Sequence, residues 1–310
     1  MKKYIEKAAV LIEALPYIQS FRNSIVVVKF GGSVMENTEL TEQALRDIVF
    51  MECIGIKPVI VHGGGKAITS KLQGDNIPTY FINGLRFTCD KTIKIVDDVL
   101  HNQINANLVN ILDKLGGNAK KLSGKEILKA KKMYSTNKIT GEKLDLGYVG
   151  NVYDVNIDKI VELTNANTIP VITPLGIGSN NQIFNVNADI AASIIAEHLQ
   201  ARKLVFVSDV PGVLKDPDDE DSVISSIKLN EIDKYIANGI ITGGMIPKVR
   251  SAMQALNAGT NKVHFIDGRI QHSLLLEIFT NSGIGTQILK ENSPLNTPVK
   301  NSFPNFSTSP

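Results

Sequence analysis

The sequence predicts an α/β fold, a three-layer αβα sandwich built on a mainly parallel central sheet. Three observations carry this expectation. From residue 25 onward, β-branched runs alternate with helix-like amphipathic segments, the pattern of parallel strands joined by crossover helices. Two of those runs end in glycine clusters, as strands do where a ligand approaches their carboxyl ends. The same alternation resumes in the second half of the chain.

The elements follow in order. In residues 3–20, Tyr4, Ala8, Leu11, Leu15 and Ile18 keep the spacing of one helical face, and Ile5, Ala9 and Ile12 widen it. Pro16 is expected to kink or shorten the end of that helix. Such a face packs on the chain's own core or on another subunit, and the residues alone leave both open. Ile25-Val26-Val27-Val28 reads as a buried strand running into Lys29-Phe30-Gly31-Gly32-Ser33. A helix near 39–54 precedes the strand Pro58-Val59-Ile60-Val61, which runs into His62-Gly63-Gly64-Gly65 and a helix near 65–73. Ile93, Val96, Val99, Leu100, Ile104, Leu108 and Ile111 mark a longer helix. Residues 131–154 carry Gly141, Gly147 and Gly150 and read as hairpins.

The second cycle begins with a strand at 169–172 and a helix at 188–199. A strand at 204–207 then ends at Ser208-Asp209, followed by a helix near 246–257 and a strand at 263–266. From about Glu291, Ser, Pro, Asn and Thr replace apolar residues, so residues 291–310 are expected to form a disordered tail.

Composition narrows the class. A chain of 310 residues with 43% hydrophobic and 21% charged residues is an ordinary globular one. A net charge of +2 offers no broad face for a polyanion, so nucleic acid is not an expected partner. Cys53 and Cys89 have no metal-ligand spacing and suggest a reducing compartment. No run reaches the roughly 20 apolar residues of a membrane span, so no membrane partner is expected. The expected setting is therefore the cytoplasm or, if the chain is plastid-encoded, the plastid stroma; abundant Ile, Asn and Lys suggest an AT-rich coding genome, bacterial or organellar.

Neither the GxxxxGK[ST] loop nor the spaced GxGxxG of common nucleotide sites occurs. Instead, Thr242-Gly243-Gly244-Met245-Ile246-Pro247-Lys248 sets a glycine pair before a helix, with Pro247 suited to its first turn. Lys29 and Lys248 therefore both lie where anions gather at helix starts. Phosphoryl transfer requires cations so arranged; two solvated surface lysines are the plainer reading. Asn185 and Asp189 are four apart around a helix start and can face one locus, where Asp189 would pair with both lysines. Alternatively, Asp189 only complements the helix dipole. Arg86, in Gly84-Leu85-Arg86, suits bidentate capture of a carboxylate. His62 reads as a structural hydrogen-bonding residue rather than a base, since an attacking carboxylate has no proton to lose.

Six segments in this order resemble the acetylglutamate kinases of the amino acid kinase superfamily. They are Lys29-Phe30-Gly31-Gly32, His62-Gly63-Gly64-Gly65, Asn83-Gly84-Leu85-Arg86, Asn185-Val186-Asn187-Ala188-Asp189, Ser208-Asp209-Val210-Pro211-Gly212-Val213 and Gly243-Gly244-Met245-Ile246-Pro247-Lys248. The resemblance runs from about residue 25 to 290 and implies transfer of the ATP γ-phosphate to the γ-carboxylate of N-acetyl-L-glutamate, the second step of arginine synthesis. It further implies that Gly64, Gly65, Arg86 and Asn185 hold acetylglutamate. Lys29 and Lys248 would stabilise the transferring phosphoryl group, Asp189 would orient them, and Gly31, Gly32, Ser208, Asp209 and Gly244 would surround the nucleotide. Mg²⁺ would be carried by the nucleotide, with no protein metal site.

Arginine-inhibited members are similar to this chain in their N-terminal helix and in His264-Phe265-Ile266-Asp267-Gly268-Arg269, His272-Ser273-Leu274-Leu275-Leu276-Glu277 and Gly283-Ile284-Gly285-Thr286. The resemblance implies an effector site at Lys215, Glu277 and Gly283, with Glu277 against the guanidinium. It also implies a homohexamer, a trimer of dimers joined through residues 1–22. An acetylglutamate lobe at 23–180 and an ATP lobe at 181–290 would complete the chain. Related enzymes of photosynthetic lineages also bind the signalling protein PII, a partner that nothing in this chain establishes by itself. Lys66-Ala67 stand where the family usually has Pro-Gln, and Asn102 and Asn105-Ala106 where it has Gly and Asn-Lys. Two alternatives remain: another amino acid kinase acting on carbamate or aspartate, and a catalytically silent arginine sensor.

Overall fold

The computed structural model describes residues 1–137, 139–280 and 283–291. All but the first residue of the expected tail thus lies outside them. The chain opens with α1 (Lys2–Phe21), which continues through Pro16 for another turn rather than stopping there. Then come β1 (Ile25–Phe30), α2 (Thr38–Cys53), β2 (Lys57–His62) and α3 (Gly65–Gly74). A small flap of β3 (Phe81–Ile82) and β4 (Leu85–Arg86) leads into α4 (Asp90–Asp98), a π-helical segment (Val99–Asn105) and α5 (Ala106–Lys114). The apolar spacing from 93 to 111 predicts one helix, and the structure inserts the π turn within it.

β5 (Ala119–Leu122), β6 (Leu128–Thr136), β7 (Lys143–Val155) and α6 (Asp158–Asn165) follow. After them come β8 (Ile169–Ile172), β9 (Leu175–Ile177), β10 (Ile183–Asn185), α7 (Ala188–His198) and β11 (Lys203–Ser208). The chain continues with β12 (Ser226–Lys228), α8 (Ile232–Ala237), α9 (Met245–Asn257), β13 (Lys262–Asp267), α10 (Ser273–Phe279) and β14 (Thr286–Leu289).

Eight strands form the central sheet in the order β12-β14-β13-β11-β1-β2-β8-β5, parallel except for β13 against β14. Strands β10, β7, β6 and β9 close a smaller sheet beside it, built on the hairpin expected at 131–154. The main sheet is buried on both faces, so its strands are apolar runs rather than alternating ones. Along β1, Val27 faces a core containing Phe206, Phe265, Ile195 and Ala252, from β11, β13, α7 and α9. Val26 and Val28 face the opposite core, with Leu45, Ile48 and Leu112 of α2 and α5. This period-2 division makes the three layers.

The chain leaves β1 for β2 on one side and returns through β11 on the other, both parallel to β1. That reversal opens a crevice at the carboxyl ends of the strands. Phe30 registers with His62, which sets the two glycine loops side by side, and Gly63 N–H donates to Phe30 O at 2.8 Å.

Candidate active site

At the strand ends lies a cavity of about 620 Å³. Its wall includes Lys29, Gly32, Gly64, Gly65, Arg86, Asn185 and Asp189, brought together from four segments far apart in sequence. The first glycine loop opens a short 3-10 turn, Gly32–Glu36, and the second opens α3. A Cβ at Gly64 would stand 2.6 Å from Leu100 Cδ2 and 2.7 Å from Ile104 Cδ1, so a larger residue there would displace both side chains. At Gly31 a Cβ would meet the Lys29 ammonium at 2.8 Å, and Gly32 has φ +72°, a conformation that favours glycine.

Lys29 projects from β1 and is 7% exposed. Its Nζ lies 2.9 Å from Asp189 Oδ1, while Lys248 Nζ lies 3.3 Å from Asp189 Oδ2. Asp189 sits in the first turn of α7, whose N-cap Asn187 accepts from Asp189 N–H and Ile190 N–H. Burial alone would raise the Asp189 carboxyl, but the two ammonium groups outweigh it and hold it below the usual carboxylate range. Lys248 is pushed down by burial and then by the neighbouring Lys29 charge. One carboxylate thus holds two cations close together, leaving one net positive charge facing the crevice.

Arg86, at the end of β4, is 6% exposed. Its Nη1 donates to Thr79 Oγ1 at 2.5 Å, and its Nη2 to Gly65 O at 2.8 Å and Thr69 Oγ1 at 2.7 Å. The Phe81 ring lies 4.6 Å from its Cζ. Flap, α3 and guanidinium therefore form one rigid wall, and burial lowers the Arg86 pKa. Asn185 Nδ2 donates to Thr88 Oγ1 at 3.2 Å, and that hydroxyl in turn donates to Arg86 O at 2.9 Å.

Ser208, Asp209, Gly244 and Lys248 stand outside the wall of this cavity. Ser208 ends β11 beside β1, and Asp209 Oδ1 lies 3.7 Å from where a Cβ on Gly32 would sit. Gly244 caps α9, with Lys248 in its first turn. Among the described residues no cluster of His, Cys, Asp and Glu is placed to hold a metal ion.

The structure brings Glu277 and Gly283 together: a Cβ on Gly283 would meet Glu277 Oε2 at 2.6 Å. Lys215 lies in the loop after β11, where its N–H donates to Ser222 O; that loop is tied to the segment after Gly283 by Val213 N–H donating to Thr286 Oγ1 at 2.8 Å. Glu277 is instead paired with Lys203 Nζ at 3.3 Å and His264 Nδ1 at 2.5 Å, and accepts from Ile284 N–H at 3.2 Å. Burial opposes its charge, but His264, Lys203 and the Ile284 N–H hold its pKa down at about 2. Sequence reasoning did not single out Lys203. The one signal was a lysine opening an apolar strand, which ordinarily reads as a stem reaching for solvent.

The chain matches the amino acid kinase family over residues 24–267. It is 45% identical over 292 residues to the acetylglutamate kinase of Carboxydothermus hydrogenoformans, covering 93% of this chain and 99% of that one. To the acetylglutamate kinase of Petrotoga mobilis it is 48% identical over 289 residues, covering 93% and 94%. Among solved structures, the N-acetylglutamate synthase of Neisseria gonorrhoeae superposes with a TM-score of 0.79 at 24% identity. That superposition covers 92% of this chain and 64% of the synthase, and it supports the fold alone.

Proposed function

Because the chain belongs to the amino acid kinase family, and within it to the acetylglutamate kinase family, we propose that this phosphotransferase passes the γ-phosphoryl group of ATP to the γ-carboxylate of N-acetyl-L-glutamate, with arginine as feedback inhibitor. The observation that carries the reading is the Lys29–Asp189–Lys248 cluster beside a cavity that also presents the Arg86 guanidinium. A carboxylate oxygen attacks the γ-phosphorus, the bond from that phosphorus to the ADP oxygen breaks, and no proton need move. The products are an acyl phosphate and ADP. Catalysis then rests on positioning and on cations around the equatorial oxygens.

Each group has its part in this reading. Arg86 holds the α-carboxylate, and Gly64, Gly65 and Asn185 hold the rest of the acceptor. Lys29 and Lys248 meet the phosphoryl group, and Asp189 sets their separation. Gly31, Gly32, Ser208, Asp209 and Gly244 surround the nucleotide, dividing the work between segments 23–180 and 181–290. Mg²⁺ would come with ATP, carried by the phosphate oxygens, which fits an Asp189 already engaged by two ammonium groups. Arginine would bind at Glu277, Gly283 and Lys215, its guanidinium sharing Glu277 with Lys203. The exposed face of α1, with Tyr4, Ile5, Leu11 and Ile12 each more than 60% accessible, supports assembly through residues 1–22 into a hexamer. PII binding and a cytoplasmic or plastid setting belong to the same reading.

The test is release of ADP with acetylglutamate, glutamate, aspartate or carbamate as acceptor, each with and without arginine. Acetylglutamate alone should support turnover, and arginine should suppress it. Lys248→Ala should lower kcat by about 10²- to 10³-fold. Equal turnover with carbamate or aspartate would sink the substrate assignment, and binding of arginine without any turnover would favour a sensor.

A further inference from the structure

The imidazole of His62 is fully buried at the end of β2 and is not part of the cavity wall. Its Nδ1 lies 2.8 Å from Gly63 O, and its Nε2 lies 3.1 Å from Asn105 Nδ2. The same Asn105 amide group donates to Val171 O of β8 at 2.8 Å. These contacts admit one proton arrangement. Val171 O can only accept, so the amide –NH₂ of Asn105 must face it, and its second hydrogen points at His62 Nε2. Nε2 is then the acceptor, and Nδ1 carries the hydrogen that Gly63 O requires. Burial holds the ring neutral at pH 7, with its pKa lowered to about 4.

We propose that Asn105 and His62 are positioning residues that fix the Gly63–Gly64 peptide so that the Gly64 N–H points into the cavity as a donor to the reacting anion. The Gly63 carbonyl is drawn inward by His62 Nδ1–H, and no cis peptide occurs among the described residues. In a trans peptide the N–H of the next residue points the opposite way. The cavity wall includes Gly63, Gly64 and Gly65 but not the buried ring. The two flanking peptides are held as well, since Gly63 N–H is bonded to Phe30 O and Gly64 O accepts from Ile68 N–H. A donor held in this way needs no reorganisation when charge develops on the anion, and such donors stabilise charge best. The π segment that ends at Asn105 also supplies Leu100 and Ile104, which pack against Gly64. One irregular turn therefore supplies both the packing against Gly64 and the amide that orients His62. The donor's role rests on the phosphoryl-transfer reading; the ring's tautomer does not.

Two measurements test this. Ring-nitrogen NMR of the ligand-free protein should show His62 as the neutral Nδ1–H tautomer, and an Nε2–H tautomer would overturn the proposal without any variant having to fold. The second compares His62→Asn with His62→Gln. Asparagine places its –NH₂ where Nδ1 lies and keeps the donor to Gly63 O; glutamine places its amide where Nε2 lies and loses it. His62→Asn should keep kcat within about 10-fold of the unmodified enzyme, while His62→Gln should lose about 100-fold in kcat with KM for ATP unchanged. A residue that only fills space predicts the reverse, because glutamine is nearer to histidine in volume. His62→Gln as active as His62→Asn, or losses that track melting temperature, would overturn the positioning role. An unmodified enzyme inactive on every carboxylate would instead overturn the reading on which the donor's role rests.

Discussion

Asp189 illustrates how one side chain fixes the chemistry of two others. With its carboxylate between Lys29 and Lys248, two ammonium groups that would repel each other share one counter-charge. Asp189→Asn keeps the shape and removes the charge. We expect it to cost about 3 kcal/mol of stability, since it strands the buried Lys29 ammonium beside the half-buried Lys248, and to lower kcat by at least about 100-fold. Urea unfolding and steady-state rates read the two effects, and a stable, active Asp189→Asn would show that the lysines do not depend on it. His62 makes a separate claim about pH. Its pKa is 6.5 in the unfolded chain and about 4 in the fold. Below pH 6.5 the unfolded state takes up a proton that the folded state refuses, so stability falls as pH drops from 6.5 towards 4. The slope from this one group approaches about 1.4 kcal/mol per pH unit, and His264, also held at about 4, adds to it. Flat stability between pH 6.5 and 5 would contradict both. Lys29, Lys248 and Asp189 were legible in the sequence because each lies beside a glycine pair or a helix start, and Arg86 because it follows a single loop glycine. Asn105, Lys203 and Thr88 were not, because their partners lie 43, 74 and 97 residues away and only the fold brings them together.

Long, β-branched strands and long amphipathic helices announce themselves by period, and β1, β2, β8, β11 and β13 fall within a residue or so of where their apolar runs place them. The short elements do not. Strands β9, β10 and β12 have three residues each, too few to show a period, and they form only because neighbouring strands offer them partners. The π segment is hidden for another reason: its apolar residues keep nearly helical spacing, and the widened turn shows only in the backbone bonds. Gly147 shows what a single residue does for an element. With φ at +71° on β7, it bends towards Thr88, whose carbonyl oxygen would lie 2.2 Å from a Cβ. Gly147→Ala should therefore cost about 2 kcal/mol or more. It should also raise KM for acetylglutamate, because Thr88 holds Asn185. Thermal denaturation with KM determination checks both, and an unchanged KM would separate the bend from the site.

At the scale of the molecule, the layered core was foreseen, including the crevice at the strand ends. The antiparallel return of β14 was not, since nothing in a four-residue strand states its direction. The amino-terminal helix is anchored at one end only. Phe21 is buried, the Arg202 guanidinium lies 4.0 Å from its ring, and Tyr17 meets Phe279 of α10 edge-on at 6.3 Å. Residues 1–12 are exposed. Removing residues 1–20 should reduce a hexamer to dimers in light scattering with the core still folded, and an unchanged mass would place the contact elsewhere. The anchor has a mechanical consequence. A 20-residue helix is a rigid rod about 30 Å long, and Lys203, the partner of Glu277, lies 5.6 Å from the Phe21 ring that serves as its pivot. A tilt of about 10° at that end would sweep the far tip through about 5 Å over such a length, so a small displacement at Phe21 would become a large one at Tyr4 and Ile5.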